Sequence, residues 1–174
     1  MLKLGLFALG VILVDQGVKL WVLANFALGE ARVFIPGVLQ LRYIQNTGMA
    51  FSLFVGHPWI PMVLTPLILI VMGYLLFGKK LFPCQVQQFA LAAVMAGGLS
   101  NWIDRIFHGF VIDMFEPAFM RFAVFNVADS FISVGGIVFV IAYILSETRK
   151  NRGEVAEKDV EADVISDVQE QGGE

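Results

Sequence analysis

Asp15 and Lys19 stand four residues apart inside a stretch, residues 4–28, that is otherwise strongly apolar. On a helix, residues at i and i+4 share a face, and acid before base is the favourable order for an ion pair. Ionisable groups in an apolar helix of spanning length are costly and point to function. Two readings are open for this pair. Either it is mutually neutralised and docks its helix into a bundle, or Lys19 is the general base of a Ser–Lys hydrolase, with Ser52, Ser100 and Ser130 as the candidate nucleophiles. The pairing weighs against the second reading. A lysine base must be neutral when it acts, and a carboxylate beside it favours the charged form.

A second polar group closes another apolar stretch, "AGGLSNWIDRIFHGFVID". Asn101, Asp104 and Arg105 stand at i, i+3 and i+4 and share a helical face. Asp104 and Arg105 could form a local ion pair at the helix end. Asp113 follows beyond it. A third group opens the last apolar stretch as "FNVADSF": Asn126 suits a helix N-cap and places Asp129 at N3, an arrangement resembling a capping box. Asp129 could be a capping carboxylate only. Yet Asp113 follows the outer end of one apolar stretch and Asp129 opens the next on the same side, and two carboxyls at one level can share a proton. The ionised one can then take a proton from water while the protonated one polarises a carbonyl and protonates a leaving amine. The dipole at a helix N-terminus favours charge on Asp129, which leaves the proton on Asp113.

The elements that must hold these residues are membrane helices. Of 174 residues, 57% are hydrophobic and 16% charged, and the mean hydropathy is +0.75. A soluble domain carries about a quarter charged residues, so a single soluble core is excluded. A spanning helix needs roughly 20 mostly apolar residues, and four windows qualify: about 4–28, 59–77, 88–107 and 125–145. Lys3, Lys79, Lys80, Arg149, Lys150 and Arg152 flank these windows on one side, which predicts that both termini are cytoplasmic. Arg32, Arg42 and Arg121 fall on the other side, so the bias is partial.

Residues 29–57 form the longest outer segment. Leu39, Leu41 and Tyr43 alternate with Gln40 and Arg42, which is strand periodicity, and Pro36-Gly37 is a turn signal. A small β-sheet on the membrane surface is expected there. The outer loop 108–124 carries Phe115, Phe119, Met120 and Phe122 and is expected to hold a short interfacial helix. Gly97, Gly98, Gly135 and Gly136 predict close helix packing. Residues 1–150 hold ten bases and seven acids, whereas residues 151–174 hold eight acids and two bases. That acidic tail is expected to be disordered or loosely helical. The fold class read from the sequence is therefore a membrane all-α protein: one domain of four transmembrane helices with a small extracytoplasmic β-sheet, a short interfacial helix and a cytoplasmic tail.

The single Cys84 excludes an intrachain disulfide and a cysteine metal site, and His57 and His108 lack ligand spacing and read as interfacial residues. No metal, cofactor or nucleic-acid site is expected. A proton-coupled transporter would also keep aspartates in a bundle, but internal repeats or broken helices at the midplane are not evident.

The motifs "DQGVK" (15–19), "NTGMAF" (46–51), "GGLSNWIDR" (97–105), "VIDMF" (111–115) and "FNVADS" (125–130) resemble, in order and spacing, the series of the prokaryotic lipoprotein signal peptidases, signal peptidase II. The resemblance covers about residues 1–150. It implies a membrane aspartyl endopeptidase, without cofactor and acting as a monomer, of the bacterial cytoplasmic membrane. Its substrate would be a diacylglyceryl-modified prolipoprotein, cut just before the lipidated cysteine near the extracytoplasmic face. The family's catalytic aspartates fall on Asp113 and Asp129. Its supporting residues fall on Asp15, Asn46, Gly48, Asn101, Asp104, Arg105 and Asn126, with Lys19 in the first motif. The family also implies an outer β-cradle and a helix over the site. Ser100 departs from the pattern, since members often have glycine there. An intramembrane aspartyl protease of the presenilin type would carry GxGD inside a helix, which this chain lacks.

Overall fold

The computed structural model describes residues 1–48, 57, 59–78, 82 and 84–171. Among them are four helices and three strands: α1 (Leu2–Asn25), β1 (Ala31–Ile35), β2 (Leu39–Asn46), α2 (Trp59–Gly78), α3 (Gln85–His108), β3 (Val111–Pro117) and α4 (Val127–Gln171). Met1–Phe139 form one compact unit, and residues from Val140 onward form a second.

Three helical stretches, Leu2–Asn25, Trp59–Phe77 and Val127–Arg152, are long and apolar enough to cross a membrane. Their large apolar side chains are widely exposed, among them Leu6, Leu13, Val63, Ile70, Val134 and Ile137. In water this would be untenable; against lipid it is the expected outer face. α3 is the exception. It is as long as α1 but buries Gln87, Ser100, Asn101 and Asp104 along with its alanines. α3 is thus the polar spine on which α1 and α2 pack.

Small residues bring the helices together. A β-carbon on Gly97 would lie 2.5 Å from the Ala128 carbonyl oxygen, and one on Gly135 would lie 2.9 Å from that of Ala90. Only glycine lets α3 and α4 approach so closely at both points. Gly98 meets Leu69 of α2, whereas Gly136 faces open space.

The strands form one antiparallel sheet, ordered β1-β2-β3. Ala31 pairs with Arg42 in the first ladder. The connecting turn contains Pro36-Gly37, with Gly37 at φ 72° and Val38 N–H donating to the Ile35 carbonyl at 3.0 Å. Leu41 and Tyr43 are buried, as their alternation predicts. With Ile112 and Met114 they pack on Val22 and Phe26 at the end of α1. Removing such side chains from water is worth about 1.5–3 kcal/mol each, which seats the sheet on the bundle.

One expectation is corrected and another narrowed. Residues 109–124 hold no helix among the described residues; Val111–Pro117 form β3, which pairs along β2 from Leu39↔Pro117 to Asn46↔Val111. The β-branched and aromatic run Val111-Ile112-Asp113-Met114-Phe115 can satisfy its backbone on the open edge of β2. The acidic tail, expected to be disordered or loosely helical, takes the helical form: α4 continues to Gln171. Residues 154–171 contain neither glycine nor proline, and they extend a helix already nucleated, so each further turn costs little. Residues 49–56 of the expected outer β segment lie outside the described residues.

Candidate active site

The site is built at the start of α4. Asn126 precedes the first helical residue, and its Oδ1 accepts the Asp129 N–H at 2.8 Å. Asp129 Oδ2 in turn accepts the Asn126 N–H at 3.2 Å. This is the reciprocal capping box that the sequence suggested. The Ala128 N–H, another donor left without an intrahelical partner, is capped from a different helix: it donates to Asp15 Oδ1 of α1 at 2.7 Å. Asn101 of α3 donates from Nδ2 to Asp129 Oδ1 at 2.8 Å. Both oxygens of Asp129 are therefore held.

Asp113 arrives on β3, opposite Ile44 of β2. Asn46 Nδ2 donates to its Oδ2 at 2.9 Å, and Asn126 Nδ2 donates to its Oδ1 at 2.7 Å. One amide, Asn126, thus bonds Asp113 through its nitrogen and the Asp129 backbone through its oxygen. Asp113 is only 1% exposed. Burial, and secondarily the charge of Asp129, push its carboxyl up from 3.8 to about 7, against the pull of the two amide donors.

Beneath the two aspartates lies a buried charge cluster. Lys19 Nζ contacts Asp15 Oδ2 at 2.7 Å and Asp104 Oδ2 at 2.8 Å, and donates to Asn101 Oδ1 at 2.8 Å. Three ammonium donors meet three acceptors, all of them buried. Asn101 Oδ1 also accepts from Asn126 Nδ2 at 3.0 Å, which links the cluster to the site above. Asp104 further accepts from the Ile112 N–H at 3.2 Å and so ties α3 to β3.

The Asp15–Lys19 pair stands as the sequence suggested. The local Asp104–Arg105 pair does not form: Asp104 turns inward to Lys19, while Arg105 donates to the Asn101 carbonyl at 3.1 Å and to the Gly48 carbonyl at 2.7 Å. Gly48 donates its own N–H to Asn46 Oδ1 at 2.9 Å, which orients the amide that reaches Asp113. A Ser–Lys arrangement is not seen at Ser100, whose Oγ donates to Asp15 at 2.7 Å. Sequence reasoning missed Gln16. Its Nε2 donates to Asp104 Oδ1 at 2.8 Å and to Ser100 Oγ at 3.1 Å. Its signal was a polar amide inside an apolar helix, next to Asp15. No group of three or more His, Cys, Asp or Glu suited to a metal occurs among the described residues.

The sequence model of the family described as Signal peptidase (SPase) II matches residues 7–145. The chain belongs to the signal peptidase II family. Among its relatives, the lipoprotein signal peptidase of Lactococcus lactis subsp. cremoris (strain MG1363) is 44% identical over 151 residues, covering 86% of this chain and 98% of that one. That of Streptococcus pyogenes serotype M2 (strain MGAS10270) is 43% identical over 145 residues, 80% of this chain and 93% of the relative. A bacterial membrane enzyme solved by the in meso method at 2.3 Å resolution superposes with a TM-score of 0.80 at 29% identity, over 86% of this chain and 92% of its own. A second such structure, at 1.9 Å, gives a TM-score of 0.75 at 30% identity, over 82% and 93%. As a member of the signal peptidase II family the chain is a protease, and its apolar helices make it a membrane protein. Residues 146–174 lie outside the family match.

Proposed function

We propose that this protein is an aspartyl endopeptidase that removes the signal peptide from diacylglyceryl-modified prolipoproteins, cutting just before the lipidated cysteine, with Asp113 and Asp129 as the catalytic pair. The observation that carries the reading is Asn126: its amide donates to the carboxyl on the sheet while its backbone N–H donates to the carboxylate that opens α4. In the resting site Asp129 is ionised, favoured by the helix dipole and two N–H donors, and Asp113 holds the proton. Water enters, Asp129 takes its proton, and the hydroxide adds to the scissile carbonyl as Asp113 polarises that oxygen. Collapse of the tetrahedral intermediate breaks the C–N bond, and an aspartyl carboxyl protonates the amine that leaves. Arg105, Asn46, Asn101 and Gly48 hold the peptide or the aspartates, and Asp15, Lys19 and Asp104 hold the frame.

The same reading places four spans in the bacterial cytoplasmic membrane, with α3 as the fourth. Its polar residues face α1 and α4, so its low hydropathy is compatible with spanning. Residues 1–150 then form one catalytic domain acting as a monomer, both termini and the acidic tail are cytoplasmic, and the sheet lies at the outer surface. The basic residues flanking the helices support this orientation. The exposed Val33, Phe34 and Ile35 of β1 suit contact with lipid. The substrate's acyl chains, already in the membrane, concentrate and orient it there.

The test gives the purified protein a diacylglyceryl-modified prolipoprotein and the same chain without lipid. Cleavage of the lipidated chain alone, abolished by Asp113→Asn and by Asp129→Asn, is the expected result. Cleavage of neither, or retained cleavage in either variant, refutes the assignment.

A further inference from the structure

Pro66 lies inside α2. It has no N–H, so the Met62 carbonyl, four residues earlier, loses its helical donor. In a bilayer an unsatisfied carbonyl costs several kcal/mol. Here the missing donor comes from another helix: Trp102 Nε1 of α3 donates to the Met62 carbonyl at 2.9 Å. On the far side of Pro66, α2 meets α3 by close packing instead, Leu69 against Gly98 and Met95 against Gly73. α2 is therefore packed to α3 below the proline and hydrogen-bonded to it above. It has no comparable packing with α1 among the described residues. Asp129 and Asp113, by contrast, are held by α3, β2 and the start of α4, which is itself capped from α1. The outer part of α2 can thus shift without disturbing the aspartates. Trp102 itself follows directly on Asn101, the residue that holds Asp129, so the bond to α2 sits at the level of the chemistry.

We infer that Trp102 is a positioning residue for substrate: its indole latches the proline hinge of α2 to α3 and so sets the membrane-facing flank against which the lipidated chain docks. This rests on the peptidase reading above. Because the latch lies outside the carboxyl network, it acts on KM and leaves kcat in place. The donor can also be supplied in a second way. Replacing Pro66 with alanine restores a main-chain N–H to the Met62 carbonyl and makes the indole N–H dispensable.

The test compares Trp102→Phe, Pro66→Ala and the double variant in the full chain, by thermal unfolding in detergent and by steady-state cleavage of a diacylglyceryl-modified peptide. Trp102→Phe keeps the ring and removes only the N–H. Its expected effect is a rise in KM of about three- to ten-fold, the worth of one hydrogen bond, with kcat unchanged, together with a lower unfolding temperature. Pro66→Ala in that background restores both. Purely additive changes, or a fall in kcat with KM unaltered, overturn the inference. If the parent protein cleaves nothing, the proposed function fails. Thermal coupling between positions 66 and 102 then judges the latch itself, and its absence refutes it.

Discussion

Raising the pH should switch the site off through Asp113. Its carboxyl, ordinarily at 3.8, is held near 7 by burial and by the neighbouring Asp129. Below that value the pair keeps one proton and can protonate the leaving amine; above it both carboxyls are ionised. One unit above the midpoint, about a tenth of the protein retains the proton, so kcat/KM should fall about ten-fold, and a further ten-fold with the next unit. The structure also fixes how this limb can be moved. Asn46 donates to Asp113 and favours its ionised form. A hydrogen bond to a charged group is worth about 1.5–3 kcal/mol, or roughly one to two pH units. Asn46→Ala should therefore move the alkaline limb upward by about that amount. Folding raises the proton affinity of Asp113, so its contribution to stability is complete below about pH 4 and is lost as the pH rises through about 7. That contribution is worth about 4 kcal/mol at most. Cleavage of a fluorogenic diacylglyceryl peptide in micelles, across this range, measures the limb. A rate that stays flat through neutrality, or a limb that Asn46→Ala moves downward, would refute the reasoning.

Lys19→Met strands two buried carboxylates, Asp15 and Asp104. It should cost about 3–5 kcal/mol, read by thermal unfolding, and Asp15→Asn in the same chain should recover part of it; a Lys19→Met protein as stable as the parent would contradict the role given to the cluster. Gly97→Ala would drive a β-carbon to 2.5 Å from the Ala128 carbonyl oxygen, beside Asp129. A displacement near 1 Å there should lower cleavage by about a hundred-fold, while Gly136→Ala, with nothing within 4 Å, should leave activity alone.

Much of this site was legible because ionisable residues in apolar stretches are conspicuous. Asp15 and Lys19 pair as their spacing suggests, and Asn126 and Asp129 form the capping box. The alternation of β2 and the Pro-Gly turn before it were legible because both patterns are local. β3 was not. Val111–Phe115 is a short apolar run interrupted by Asp113, and such a run does not declare its period; what makes it a strand is the edge of β2, some seventy residues earlier in the chain. Asp104 was misassigned for a related reason. Its neighbour Arg105 offered a local partner, but the buried Lys19 on another helix binds it instead. Gln16 was passed over because it carries no charge, although a partly buried amide must find partners just as a charge must.

The bond from the Ala128 N–H to Asp15 joins residues 113 positions apart. The first partner is made early in synthesis and the second only when most of the chain exists. Asn101 and Asp113 likewise wait for Asn126. A chain that stops before Asn126 lacks the amide that bonds Asp113. Under the proposed assignment, the pair of carboxyls is complete only once α4 has begun, so the ability to cleave arrives late in the making of the chain.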